Sequence, residues 1–210
     1  MRIVDLTHVI TSSMPVYPGT AAPRLSADTT IERDGFRETR LDLASHTGTH
    51  MDAPAHLLAE GATLDRLPVS RFVGPAVVMN ATGPVIERAA LAAFEEELRR
   101  ASFLIVRTGW SRHWGTPAYF AGFPVLSADA ARLAASCGIS GVGIDAISVD
   151  PVGDPALPVH RILLGAGLVI VENLTGIEAL PSAGFTFQAL PLAFADADGA
   201  PVRAVALLFE

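Results

Sequence analysis

Apolar positions recur along this chain in short runs rather than in long periodic stretches. The segments Ile3–Leu6, Thr39–Ser45 (with its Leu41/Leu43 alternation), Ala76–Asn80, Phe103–Arg107, Gly141–Ile144, Gly167–Val171, Thr186–Leu190 and Val202–Phe209 have the length and composition of strands. Two segments carry helical spacing. Glu87–Arg100 places acids early and Arg99 and Arg100 at its end, in accord with the helix dipole. Ala128–Cys137 follows a potential cap at Ser127 and stops at Gly138. Fifteen prolines and eighteen glycines are spread throughout, as expected for many short elements joined by tight turns. The pattern predicts an α/β fold: a single domain over residues 1–210, built on a mixed β-sheet with few helices. A long loop, Thr108 to Pro124, carries Trp110, Trp114, Tyr119, Phe120 and Phe123, and its length and aromatic content mark it as functional.

Composition narrows the chemistry. Half of the 210 residues are hydrophobic and only 18% are charged, which excludes a disordered chain. All fifteen basic residues are arginine, so Schiff-base chemistry and a P-loop lysine are unavailable. A net charge of −7 disfavours nucleic acid or an anionic membrane as partner and points to a small molecule. The single cysteine, Cys137, cannot form an intramolecular disulfide, and a cytoplasmic protein is expected. The longest nearly uncharged apolar stretch, Ile162 to Val171, is far shorter than the ~20 residues that span a bilayer. No G-x-S-x-G elbow occurs. Gly141-Val-Gly-Ile-Asp-Ala146 matches a dinucleotide pattern only formally, because ISVDPVGDP after it cannot open a helix.

One window is chemically crowded. Residues 46–56 read HTGTHMDAPAH and hold His46, His50 and His56 around Asp52, where six histidines in the whole chain would put about 0.3 of one. Imidazole nitrogens with a carboxylate suit Zn²⁺ or Mn²⁺, and fewer than four protein ligands leave a position open for water. The competing reading is a polar turn with surface histidines. Gly48 and Pro54 argue against a continuous helix, so the window reads as a strand end bending into a loop and short turn. The four residues share parity, and an extended backbone would aim them to one side.

HTGTHMDAPAH resembles the H-x-G-T-H-x-D-x-P-x-H signature of the metal-dependent cyclase family, which includes bacterial kynurenine formamidases and isatin hydrolases. The resemblance continues through DLTHVITSSMPVYPG at 5–19, RTGWSRHWGTPAYFAGFPVLS at 107–127, VGIDAISVDP at 142–151, HRILLGAGLVIVENL at 160–174 and the C-terminal ALPLAF and PVRAVAL. It implies a swivelling β/β/α-like fold, a homodimer, and one or two divalent ions per subunit, zinc or manganese. His46, His50 and Asp52 would hold one ion. Asp52 would bridge to a second ion held by His160 and Glu172, and His56 would be the proton-transfer residue. The implied reaction is hydrolysis of an amide C–N bond in a small aromatic substrate by metal-activated water, as for N-formylkynurenine. A cyclic amide or lactone hydrolase, and a metal-dependent binding protein without turnover, are the alternatives. Tyr17, beside Pro15 and Pro18, lies where formamidases commonly carry Trp and is expected against the substrate ring. Trp110 is the candidate pocket residue of the aromatic loop, although such aromatics also serve as a loop's internal core.

Overall fold

The computed structural model describes residues 1–81 and 83–209. β1 (Arg2–Asp5) is followed by a hairpin of β2 (Arg24–Thr29) and β3 (Glu38–Asp42), and by the short β4 (His50–Asp52). Then come β5 (Val73–Asn80), β6 (Val85–Ile86), β7 (Phe103–Arg107), β8 (Val125–Leu126), β9 (Gly141–Ile144), β10 (Val169–Glu172), β11 (Phe185–Pro191) and β12 (Gly199–Leu208). The α-helices among the described residues are α1 (Ile31–Asp34), α2 (Arg88–Ala92), α3 (Glu95–Leu98), α4 (Ala128–Ser136) and α5 (Pro158–Gly165).

Eight strands form one mixed sheet in the order β1-β12-β11-β5-β7-β9-β10-β4, and β4 also pairs with β12, so the sheet closes like a barrel. β5, β7, β9 and β10 run parallel; the remaining pairings are antiparallel. Parallel strands buried on both faces need continuous apolar runs, and Phe103–Val106 is fully buried in keeping with that. Alternate residues divide between two cores. Phe103, Ile105, Val171, Phe187 and Ala204 fill the interior of the closed sheet. Leu104, Val106, Ile144 and Ile170 face outward and are covered by Leu133 of α4 and Leu163 of α5. Gly141 and Gly143 point inward, where a Cβ would meet Val169 O at 2.6 Å and the side chains of Ile105 and Leu174 at 2.8 Å. Those glycines serve packing, which accounts for the formal dinucleotide match.

Several expectations change. The helix expected over Glu87–Arg100 is broken into α2 and α3 at Phe94, whose φ of −110° and ψ of 8° leave the helical region. The strand expected over Thr39–Ser45 is Glu38–Asp42, and it pairs only with β2, outside the main sheet. The apolar run Ile162–Val171 is the end of α5 and the start of β10, joined by a turn through Gly167 at φ +78°. No helix among the described residues is long and apolar enough to cross a membrane.

Candidate metal centre

β4 lies between β10 and β12, with His50 opposite Glu172 and Asp52 opposite Gly199. Directly opposed antiparallel residues share a face. With Met51 turned into the barrel interior, His50, Asp52 and Glu172 must therefore project together from its outer face. Gly48, at φ +69°, turns the incoming chain so that His46 folds back over the same face. α5 packs against β10 and supplies His160 from its first turn.

Three imidazoles and two carboxylates converge here. Asp52 Oδ1 is 2.6 Å from His46 Nδ1 and 3.3 Å from His50 Nε2. Its other oxygen, Oδ2, is 3.6 Å from His160 Nε2. Glu172 Oε1 is 3.3 Å from His160 Nε2, and Oε2 is 3.6 Å from His50 Nε2. His46–His50–Asp52 and Asp52–His160–Glu172 thus form two groups of three donors sharing one carboxylate. Except for His46, all five are buried. The tautomers follow from fixed partners: His50 Nδ1 donates to Gly48 O at 2.9 Å, and His160 Nδ1 donates to Asp150 Oδ2 at 2.7 Å. In both rings Nε2 is thereby the atom turned toward the carboxylates, and once a divalent cation displaces its proton it offers the lone pair that metal binding requires. This donor set supports a divalent metal site.

The electrostatics agree. Burial pushes Asp52 up, but the surrounding histidines outweigh it and hold the carboxyl well below its usual range. Burial pushes His46 down, yet Asp52 and Asp198 raise it to about 9. His160 is pushed up to about 12, its burial outweighed by Asp150, Asp52 and Glu172. His56 goes the other way, lowered chiefly by burial. Its ring lies 4.0 Å from that of His46, centroid to centroid, and it stays neutral near pH 7.

Three supporting residues were not singled out from the sequence. Asp150 accepts the Val159 and His160 backbone N–H groups as well as His160 Nδ1, fixing the start of α5. Asp198, just before β12, accepts His46 Nε2 at 3.0 Å and stands 3.9 Å from His56 Nδ1. Asn173, next to Glu172, donates to Gly48 O at 2.8 Å. Asp150 and Asn173 lie within blocks that carry the family resemblance, but only the fold reveals what their side chains touch.

The centre opens into a cavity of about 490 Å³, within the range of small-molecule sites. Its walls include Pro15, Val16, Tyr17, Leu57, Ile147 and Leu157. Tyr17 stands in this wall, its hydroxyl accepting Gly153 N–H at 3.4 Å. Trp110 does not: its indole N–H donates to Tyr119 O, and its ring packs on Phe123 and His113. The loop's aromatics bury one another instead of facing a ligand. His8 stacks on Trp114 and is not part of the cavity wall.

A closed mixed sheet bearing a shared-carboxylate donor cluster at the foot of a cavity is the arrangement a metal-dependent hydrolase requires. The comparisons agree. The model of the Cyclase family ("Putative cyclase") matches residues 4–151. Kynurenine formamidase of Salinibacter ruber is 33% identical over 209 residues, 98% of this chain and 97% of that protein. Isatin hydrolase A of Labrenzia aggregata superposes with a TM-score of 0.88 at 28% identity, covering 100% of this chain and 94% of that one. A structure described as a potential metal-dependent hydrolase with cyclase activity gives a TM-score of 0.81 at 30% identity, covering 100% and 98%. The chain belongs to the cyclase family.

Proposed function

We propose that the chain is an amidohydrolase that opens the C–N bond of a small aromatic amide, in the manner of a kynurenine formamidase converting N-formylkynurenine to kynurenine and formate. The observation that carries this reading is the Asp52 carboxylate, shared between two donor groups, with a neutral histidine beside them in an apolar cavity. His46, His50 and Asp52 would hold one ion, and Asp52, His160 and Glu172 a second. The mixed nitrogen and oxygen donors suit zinc or manganese. A divalent ion held by these residues would supply a water of pKa lowered toward ~7 and a Lewis acid for the acyl oxygen. His56 accepts a proton from the attacking water and returns it to the departing amine nitrogen as the C–N bond breaks, so water is consumed and amine and acid leave. Asp198 holds His46 through Nε2 and stands 3.9 Å from His56 Nδ1. Tyr17 and Leu57 give the aromatic body an apolar bed that excludes bulk water.

Hydrolysis of a cyclic amide is the second reading, favoured by the whole-chain superposition on isatin hydrolase A. A homodimer is also proposed. The β2–β3 hairpin is exposed on both faces, with Leu41, Ile31 and Phe36 all more than half exposed, and an isolated two-stranded hairpin is marginal in water. A second copy would cover it. A cytoplasmic location fits the buried, unpaired Cys137. The test is metal analysis of the purified protein with hydrolysis assays on N-formylkynurenine, isatin and simple lactones, for wild type and His56→Ala. Turnover of one class by wild type alone supports the enzyme, and full metal retention without turnover of any supports a binding protein.

A further inference from the structure

The proposed chemistry uses the cavity side of the centre and gives the aromatic loop no part. Behind His50 the structure is unusually well connected. Tyr119, fully buried, donates its hydroxyl to Asn173 Oδ1 at 2.8 Å. Asn173 Nδ2 donates to Gly48 O at 2.8 Å, the same carbonyl that receives His50 Nδ1–H. The order of donors is forced. A phenol whose pKa is raised by burial and by nearby Glu172 and Asp145 remains a hydroxyl, so it keeps a proton to give. The amide therefore turns its oxygen to Tyr119 and its NH₂ to Gly48. A flipped amide would set its oxygen against the Gly48 carbonyl.

The rest of the circuit holds these groups in place. Asn173 sits at φ +57°, in the left-handed region that asparagine tolerates better than most residues. Its backbone carbonyl accepts the Thr49 hydroxyl at 2.6 Å, and that hydroxyl oxygen accepts the His8 backbone N–H at 2.9 Å. The His8 ring stacks on Trp114 at 3.9 Å, and Trp114 meets Tyr119 edge-on at 5.1 Å, which closes the loop. Asp145 pins the start of the aromatic loop by accepting the Thr108 and Gly109 backbone N–H groups and the Thr108 hydroxyl.

We infer that Tyr119 and Asn173 are positioning residues for His50, and that the aromatic loop is a fixed prop behind the metal centre. Tyr119 orients Asn173, Asn173 and His50 share the Gly48 carbonyl, and His50 is thereby held with Nε2 toward Asp52 and Glu172. This rests on the reading of His50 as a metal ligand.

The test compares wild type, Tyr119→Phe and Asn173→Asp. Tyr119→Phe removes one hydroxyl, while Asn173→Asp keeps an acceptor for Tyr119 but loses the donor to Gly48. Apo-protein melting and circular dichroism report the fold, zinc titration reports affinity, and the visible spectrum of the cobalt(II)-loaded protein reports ligand geometry. The expected result is a folded apo-protein for both variants, zinc affinity lower by about 10–100-fold, and an altered cobalt spectrum. Wild-type affinity and spectrum in either folded variant overturn the inference, as does loss of folding in both. Failure of the wild type itself to bind zinc or cobalt would instead refute the metal centre.

Discussion

Gly199→Ala discriminates sharply between a strand position that tolerates a side chain and one that cannot. Gly199 opens β12 opposite Asp52, and its backbone has no positive φ to forbid alanine. A Cβ there would press closest on His46 Cε1 and lie 2.8 Å from Nε2 and 2.9 Å from Nδ1, at its nearest point about 1–1.5 Å inside ordinary van der Waals contact. The ring must move, and moving it strains the contacts at 2.6 Å to Asp52 and 3.0 Å to Asp198. His46 is the most accessible of the five donors, so it can swing outward, and the folding penalty should fall at the low end of the ~1–3 kcal/mol typical of overpacking. For a chain of this size that is roughly 2–4 °C in apo melting temperature. The larger loss falls on metal binding, about 10–100-fold in affinity if His46 is a ligand. The control is Gly165→Ala at the end of α5, where nothing stands within 4 Å of the added Cβ and alanine should stabilise by ~0.5–1 kcal/mol. Scanning calorimetry of the chelator-treated protein and competition titration with a zinc indicator provide both numbers. If Gly199→Ala binds zinc as wild type does, His46 is not a ligand in the arrangement described.

Four further outcomes follow from the same geometry. His56→Ala should keep its metal by elemental analysis while hydrolysis falls about 10²–10⁴-fold, because a proton carrier is lost and no ligand is. In the metal-free protein the raised His46 favours the protonated fold. That stabilising contribution is complete below about 6.5 and lost as pH rises through about 9, so apo stability should decline over that window. Metal must displace the same proton, so affinity should rise with pH toward 9, with proton release seen by calorimetry in buffers of different ionisation enthalpy. Finally, the cavity wall carries Asp154 but no arginine among the described residues. The amino-acid carboxylate of N-formylkynurenine finds no arginine there, and 2′-formamidoacetophenone, which lacks that group, should be cleaved with kcat/KM at least as high in a steady-state comparison.

The sequence by itself determined the donor chemistry. His46, His50, Asp52 and His56 are close along the chain and share parity, so a short strand and one turn are enough to bring them together. The buried strands were legible for a related reason: Phe103–Val106 and Val169–Val171 are apolar on both faces, a composition few other environments accept. What only the tertiary structure decided is everything that depends on distant segments meeting. From the residues alone nothing tied His160 and Glu172 to the 46–56 window, and family resemblance alone gave them a role. Register against β4 and the docking of α5 bring them within reach of Asp52. Asp198, 152 residues from His46, and Tyr119, 54 from Asn173, had no local signal at all, because a hydrogen bond leaves no periodicity in sequence. Trp110 shows the converse. Its aromatic character suggested a ligand, but whether a ring faces a cavity or its own loop is settled by packing, and here the loop takes it.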